Sequence, residues 1–196
     1  EEPERFDLGV VVVALPRGGV PVAFEVARSL GASLDVLVVR KLGAPGHPEL
    51  AVGAIASGGA RVLNDDIGRA LRLDEMTLRR IAESEERELR RREELYRGEG
   101  QGLDVTDRTV VLVDDGVATG ATMLVAVSAL RQLQASRVIV AVPVGATDSL
   151  ARLRTAADEV VCLHQPRDLV SVGQWYEDFS QTTDAEVREL LTGQDS

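Results

Sequence analysis

A chain of 196 residues with 44% hydrophobic content is long enough to bury one full core, and residues 1–196 read as a single domain. Its 32 acidic and 22 basic residues leave a formal net charge of -10, which opposes general attraction to nucleic acid or to an anionic membrane surface. No apolar run approaches the roughly 20 residues that span a bilayer, the opening "EEPERFD" has no signal-peptide character, and the lone Cys162 has no partner for a disulfide. A cytoplasmic location and a buried, inert thiol are therefore expected. Residue 1 is Glu rather than Met, so an N-terminal element or a fused domain outside this stretch is allowed for.

Four apolar runs rich in β-branched residues, "GVVVVALP", "LDVLVVRK", "TVVLVDD" and "SRVIVAVPV", are too continuous for strands with one wet face. They predict strands covered on both sides. Between the first two, "VPVAFEVARSLG" (Val20–Gly31) places Val22, Val26 and Leu30 on one helix side and ends in Gly. After the second, "AVGAIASGGARVLN" (Ala51–Asn64) predicts two short strands joined around Gly58-Gly59. Residues 74–100 are charged nearly throughout, and Glu83/Arg87, Glu86/Arg90 and Glu88/Arg92 stand four apart with the acid first, the favourable order on a solvated helix. The sharper expectation is that residues 65–102, closing in Gly98, Gly100 and Gly102, form a mobile arm beside an active site.

Further on, "ATMLVAVSALRQL" (Ala121–Leu133) predicts a buried, Ala-rich helix, and "TDSLARLRTAA" a second one with Asp148 as N-cap. The last segment, "HQPRDLVSVGQWYEDFSQTTDAEV", holds the only Trp, Trp175, beside Tyr176 and Phe179; it either seals the edge of the core or caps a ligand. Strands alternating with helices imply βαβ units and an α/β fold with a mainly parallel sheet.

In such a sheet, ligands bind at the carboxyl ends of the strands. Asp114 and Asp115 stand there, after "VVLV", and "ATGAT" follows at the start of the next helix. A helix start offers free N–H groups to an anion; Thr119 and Thr122 add hydroxyls, and Gly120 permits close backbone approach. Carboxylates repel phosphate and instead accept bonds from sugar hydroxyls or support Mg²⁺. One motif thus describes a sugar phosphate, the plainer alternative being that the acids cap a turn. Arg17, Gly18 and Gly19 occupy the same edge after the first strand, as an anion cradle or a simple turn. Lys41, the only lysine, ends the second run, where a compact charge suggests a specific task, the plainer alternative being a surface lysine. There is no G-x-x-x-x-G-K-[ST] and no G-x-G-x-x-G after the first strand, so ATPase and dinucleotide readings fall. His47 and His164 are candidate proton carriers on composition alone, the alternatives being a loop-shaping role for His47 and a solvent-facing position for His164.

"VVLVDDGVATGAT" closely resembles the phosphoribosyl-pyrophosphate (PRPP) signature of type I phosphoribosyltransferases, and "PRGG" and "RK" stand where that family has its pyrophosphate loop and a basic residue. The resemblance covers roughly residues 9 to 180 in order. It implies a doubly wound sheet with helices on both faces, a core of about 8–64 and 103–165, an arm of about 65–102 and a C-terminal hood of about 165–185. It implies an enzyme, a PRPP-dependent pentosyltransferase of nucleotide metabolism that passes 5-phosphoribosyl to a nitrogenous base and releases pyrophosphate. The alternative is a non-catalytic regulator that binds PRPP or a nucleotide, and a homo-oligomer is left open.

By this resemblance Asp114 and Asp115 hold the ribose hydroxyls, Ala118, Thr119, Gly120, Ala121 and Thr122 hold the 5-phosphate, and Arg17, Gly18, Gly19 and Lys41 meet pyrophosphate with its Mg²⁺. "RKLGAPGHPELAVGAI" and "VGQWYEDFSQTTD" look like an uncharacterised bacterial branch. Enzymes of that family acting on 6-oxopurines usually have Asp at the position of Ala118, so the acceptor base stays open. Asp178 resembles an acid that assists the metal, although its spacing from Gly173 is one residue off.

Overall fold

The computed structural model describes residues 9–63, 69–71, 74–98 and 102–193. Strand β1 (Val10–Ala14) leads into helix α1 (Gly19–Leu30) and β2 (Ser33–Val36). Next come β3 (Val39–Ala44), β4 (His47–Ala56) and β5 (Arg61–Leu63), then the long helix α2 (Glu75–Arg97). The second half alternates: β6 (Thr109–Val113), α3 (Ala121–Gln132), β7 (Arg137–Val144), α4 (Thr147–Ala156), β8 (Glu159–His164) and finally α5 (Asp184–Thr192). Five strands form a parallel sheet in the order β2-β1-β6-β7-β8, and β3-β4-β5 form a separate antiparallel sheet.

The continuous apolar runs are explained by burial on both faces. Along β1, Val11 and Val13 point into one cluster with Met123, Ala126 and Leu130 of α3 and Leu150 and Leu153 of α4. Val12 and Ala14 point the other way, into a cluster with Val20, Ala23 and Ala27 of α1 and Val187 of α5. The fold is α/β and doubly wound, as the alternation of elements predicts.

Three local expectations change. The run "LDVLVVRK" is two strands, because the chain leaves the main sheet after Val36 and resumes at Val39 in the small sheet; Leu37 and Val38 between them are fully buried, so hydrophobicity alone marks no break. Helix α1 buries Val20, Ala23 and Ala27 fully, Val22 and Val26 are partly buried against the same cluster, and Leu30 is half exposed. Helix α4 starts at Thr147, so Asp148 sits inside its first turn and Ala146 takes the N-cap position. The predicted hairpin is present: β4 and β5 pair antiparallel around Ser57–Gly59, with Gly58 and Gly59 at φ 74° and 79°, which suit only glycine without strain.

Helix α2 is more than a solvated helix. Glu86–Arg90 and Glu88–Arg92 do pair along its surface. Yet Ala82, Leu89 and Tyr96, spaced by seven, are buried against the second cluster, and Arg40–Glu85 and Arg61–Glu86 tie the small sheet to it. At its last turn the Arg97 side chain is only 5% exposed; it pairs with Asp35 at 2.6 Å and Glu93 at 3.3 Å and donates to the Val36 carbonyl. Of the expected arm, residues 65–68, 72–73 and 99–101 lie outside the described residues. Among the described residues no helix is long and apolar enough to cross a membrane.

Removing one partner of a buried pair leaves the others uncompensated, at about 3 kcal/mol. Arg97→Ala is therefore expected to lower the urea midpoint strongly, by about 3 kcal/mol of stability. Arg79→Ala, which loses only an exposed pair with Glu75, is expected to leave the midpoint unchanged within error.

Candidate active site

Strands β1 and β6 run in level register, with Ala14 opposite Val113, and Leu15 N–H continues the pairing to the Val113 carbonyl at 2.9 Å. The residues that follow each strand therefore meet. The Pro16–Arg17 peptide is cis, and the loop crosses directly over the acidic pair. A Cβ on Gly18 would lie 2.0 Å from Asp115 Oδ2, and one on Gly19 would lie 2.9 Å from both Asp114 Cα and the Val113 carbonyl oxygen. The two glycines are thus required by contact: any side chain there would displace the carboxylates or the strand end. Two motifs nearly a hundred residues apart in sequence form one floor.

The acids are partly withdrawn from water. Burial, reinforced by the neighbouring charge of Asp115, pushes the Asp114 carboxyl up to about 8. Burial also raises Asp115. Asp114 Oδ1 accepts the Asp115 N–H at 2.9 Å, which offsets only part of that cost. A pair of partly desolvated carboxylates suits a ligand that brings hydroxyl donors or a divalent cation. The residues present fit Mg²⁺ of the kind that keeps water and substrate oxygens as ligands. Among the described residues no cluster of three or more His, Cys, Asp or Glu forms a closed metal cage.

Beyond the pair, Val117 bridges to Gly145 at the end of β7, and the chain turns through Ala118 and Thr119 to Gly120, at φ 75°, where α3 begins. Helix α4 pulls the carbonyls of this turn to its own side: Ser149 Oγ donates to Ala118 O at 2.7 Å, and Arg152 donates to Thr119 O at 2.7 Å. In a trans peptide the N–H points opposite to the C=O. The N–H groups of Thr119 and Gly120 are thereby turned away from α4. Ala118, Thr119, Ala121 and Thr122 are exposed, so this start of α3 is open to an anion.

The C-terminal segment closes the third side. Val172 lies over Gly116, where a Cβ would come within 2.6 Å of it, and the Tyr176 hydroxyl donates to the Asp115 carbonyl at 2.6 Å. Burial, with the charges of Asp115 and Asp114, raises Tyr176 to about 12, so its hydroxyl stays a donor. Trp175 stacks on His164 at the end of β8, with centroids 5.7 Å apart, and both rings are substantially exposed. Tyr176 and Phe179 pack at 5.1 Å.

The structure thus brings together Arg17, Gly18, Gly19, Asp114 and Asp115, with Ala118–Thr122 along the same edge. Lys41 stands in a neighbouring open cleft of about 700 Å³ between the small sheet and α3, with Arg69, Leu63, Thr122 and Val125 on its walls. It shares the start of α3 with the site, not the glycine loop. Asp178 Oδ1 caps the Ser180 N–H at 2.8 Å, and the residue lines a groove against Pro21 and Phe24 of α1. His47 begins β4 and is exposed. Cys162 is half-buried rather than buried, with its thiol on the His164 carbonyl at 3.2 Å; burial raises it, as befits an inert thiol. Sequence reasoning missed Ser149, Arg152 and the Tyr176 hydroxyl. Only the position of Ser149 and Arg152 in a helix after the β7 strand end hinted at a role.

A carboxyl whose folded-state pKa lies near 8 against 3.8 in the open chain favours folding in its protonated form; that contribution is complete below about pH 4 and lost as pH rises through 8. Asp114→Asn keeps the acceptor oxygen and removes the charge. In Mg²⁺-free buffer the variant is expected to melt several degrees above wild type at pH 9, with the advantage shrinking to nothing near pH 4. Equal melting curves across that range would contradict the buried-carboxylate account.

The model of the phosphoribosyl transferase domain family matches residues 6–174. Two Mycobacterium tuberculosis proteins, from strains CDC 1551 and H37Rv, are each 53% identical over 182 residues and are named provisionally as phosphoribosyl transferases. The matches cover 93% of this chain and 41% of those relatives, so the chain spans less than half of their length. The crystal structure of TT1426 from Thermus thermophilus superposes with a TM-score of 0.83 at 48% identity, covering 94% of this chain and 88% of that one. The chain belongs to the phosphoribosyl transferase domain family.

Proposed function

We propose that this domain transfers the 5-phosphoribosyl group of PRPP to a nitrogenous base, purine-like in character, and releases pyrophosphate. The observation that carries the reading is the contact between the two motifs: a glycine loop bearing Arg17 laid within van der Waals distance of Asp114 and Asp115, beside an open helix start. Each end of PRPP has a chemical counterpart there. The carboxylates accept the ribose 2- and 3-hydroxyls, the N–H groups around Thr119 to Thr122 take the 5-phosphate, and the Arg17 loop takes the pyrophosphate. Lys41 adds positive charge near the start of α3, and we assign it to the phosphates of the donor.

The nitrogen of the base attacks C1 of the ribose as the C1–O bond to pyrophosphate breaks, and positive charge builds on the ring. Ribose hydroxyls donating to Asp114 favour its ionised form, so that Asp114 and Asp115 favour that charge, and Arg17 stabilises negative charge growing on the leaving group. When bound, Mg²⁺ supplies charge neutralisation of the pyrophosphate oxygens. Tyr176, by holding the hood to Asp115, keeps the acceptor side of the crevice narrow, and Trp175 offers a ring face to a planar base. Ala118 offers no acid to a base nitrogen, so 6-oxopurines are not the favoured acceptors. A cytoplasmic setting and roles in nucleotide metabolism belong to this reading.

The test mixes PRPP, Mg²⁺ and a panel of purine and pyrimidine bases and measures pyrophosphate release. Base-dependent release supports the transferase. Saturable PRPP binding without release for any base would replace it with a non-catalytic PRPP-binding regulator, and absence of PRPP binding would reject both. Gly18→Ala meets only the far end of the Asp115 side chain, so it is expected to keep the fold and weaken PRPP binding more than about tenfold. Gly19→Ala meets backbone and is expected to lower the melting temperature as well.

A further inference from the structure

Arg17, the cation in the glycine loop, reaches toward the far end of the chain. Its Nη1 lies 3.8 Å from Oδ1 of Asp184, the first residue of α5. That carboxylate is firmly held. The Tyr96 hydroxyl donates to the same oxygen at 2.7 Å, and the Tyr96 ring is only 5% exposed, in the last turn of α2. The start of α5 is itself locked by a reciprocal cap, in which Thr183 Oγ1 accepts the Glu186 N–H at 3.2 Å and Glu186 accepts the Thr183 N–H at 2.6 Å. Val187, fully buried, anchors the next position of that turn. Asp184 is also favoured at a helix N-terminus by the dipole, and Arg91 faces it with further positive charge.

We propose that Asp184, fixed by Tyr96, is a positioning residue that orients Arg17 for the pyrophosphate of the donor; the inference rests on the PRPP reading of the crevice. At 3.8 Å the pair lies beyond hydrogen-bond length, so it aims the guanidinium without consuming its donors. The Arg17 side chain keeps 33% of its surface exposed, leaving the fork accessible. An arginine already aimed loses less side-chain freedom when the anion arrives. The opposite arrangement, a carboxylate that competes with pyrophosphate for Arg17, would make its removal tighten binding.

The experiment titrates PRPP and, separately, inorganic pyrophosphate, both with Mg²⁺, into wild type, Asp184→Asn, Tyr96→Phe, Arg17→Ala and the doubles R17A/D184N and R17A/Y96F. Expected results are a loss of about tenfold for D184N, about threefold for Y96F, and doubles no weaker than R17A alone. A D184N loss that persists in the R17A background would assign Asp184 a purely structural role. Unchanged or tighter binding in D184N would likewise overturn the inference while leaving the PRPP reading intact. A wild type that binds neither ligand would remove both. Should D184N melt far below wild type, the Y96F pair, which deletes a single hydroxyl, carries the cycle.

Discussion

Everything at this crevice follows from two carboxylates held half-dry at the end of a buried strand. Asp114 and Asp115 cannot spread apart, because they are consecutive, and the loop that lies against them meets them through glycine rather than through a basic side chain. In the free domain, burial and the neighbouring charge therefore disfavour ionisation of Asp114. Around that point the rest of the structure is arranged as support. The glycine loop roofs the acids, α4 orients the turn that leads into α3, and the hood is pinned by a tyrosine to the backbone of the second acid.

The sheet and its helices were legible because each is local, and the two motifs of the candidate site could be located because each follows directly on a strand end. Unbroken valine runs mean two covered faces, and an acid pair followed by small hydroxylated residues at a strand end has few other uses. What was illegible depends on partners distant in sequence. Tyr96 and Asp184 are 88 residues apart, and nothing near either one marks the bond between them. The break at Leu37 and Val38 was hidden because those residues are as buried as the strands they separate. In α2 three apolar positions seven apart were outnumbered by charge, so the docked face read as solvent.

Helix α1 shows why pattern and burial diverged. The stripe Val22, Val26 and Leu30 runs along the border of the buried face: its first two members pack partly against the core, while the third, at the last turn, is half exposed. The centre of the contact is Val20, Ala23 and Ala27, beneath which the sheet is parallel and densely valine-lined. A stripe of large residues therefore located the buried side only to within part of a turn, because alanines at the centre carry little weight in a hydrophobic pattern.

The alternation of β1 side chains into two separate clusters has a further consequence. One cluster carries α3 and α4, which shape the turn at Ala118–Gly120; the other carries α1, α2 and α5, which surround Arg17. The sheet, with β1 and β6 alternating between the clusters, thus separates the packing behind the turn from the packing behind the glycine loop. A packing defect on one face of the sheet is felt first at one of these two segments, so core substitutions on opposite faces act on different edges of the crevice.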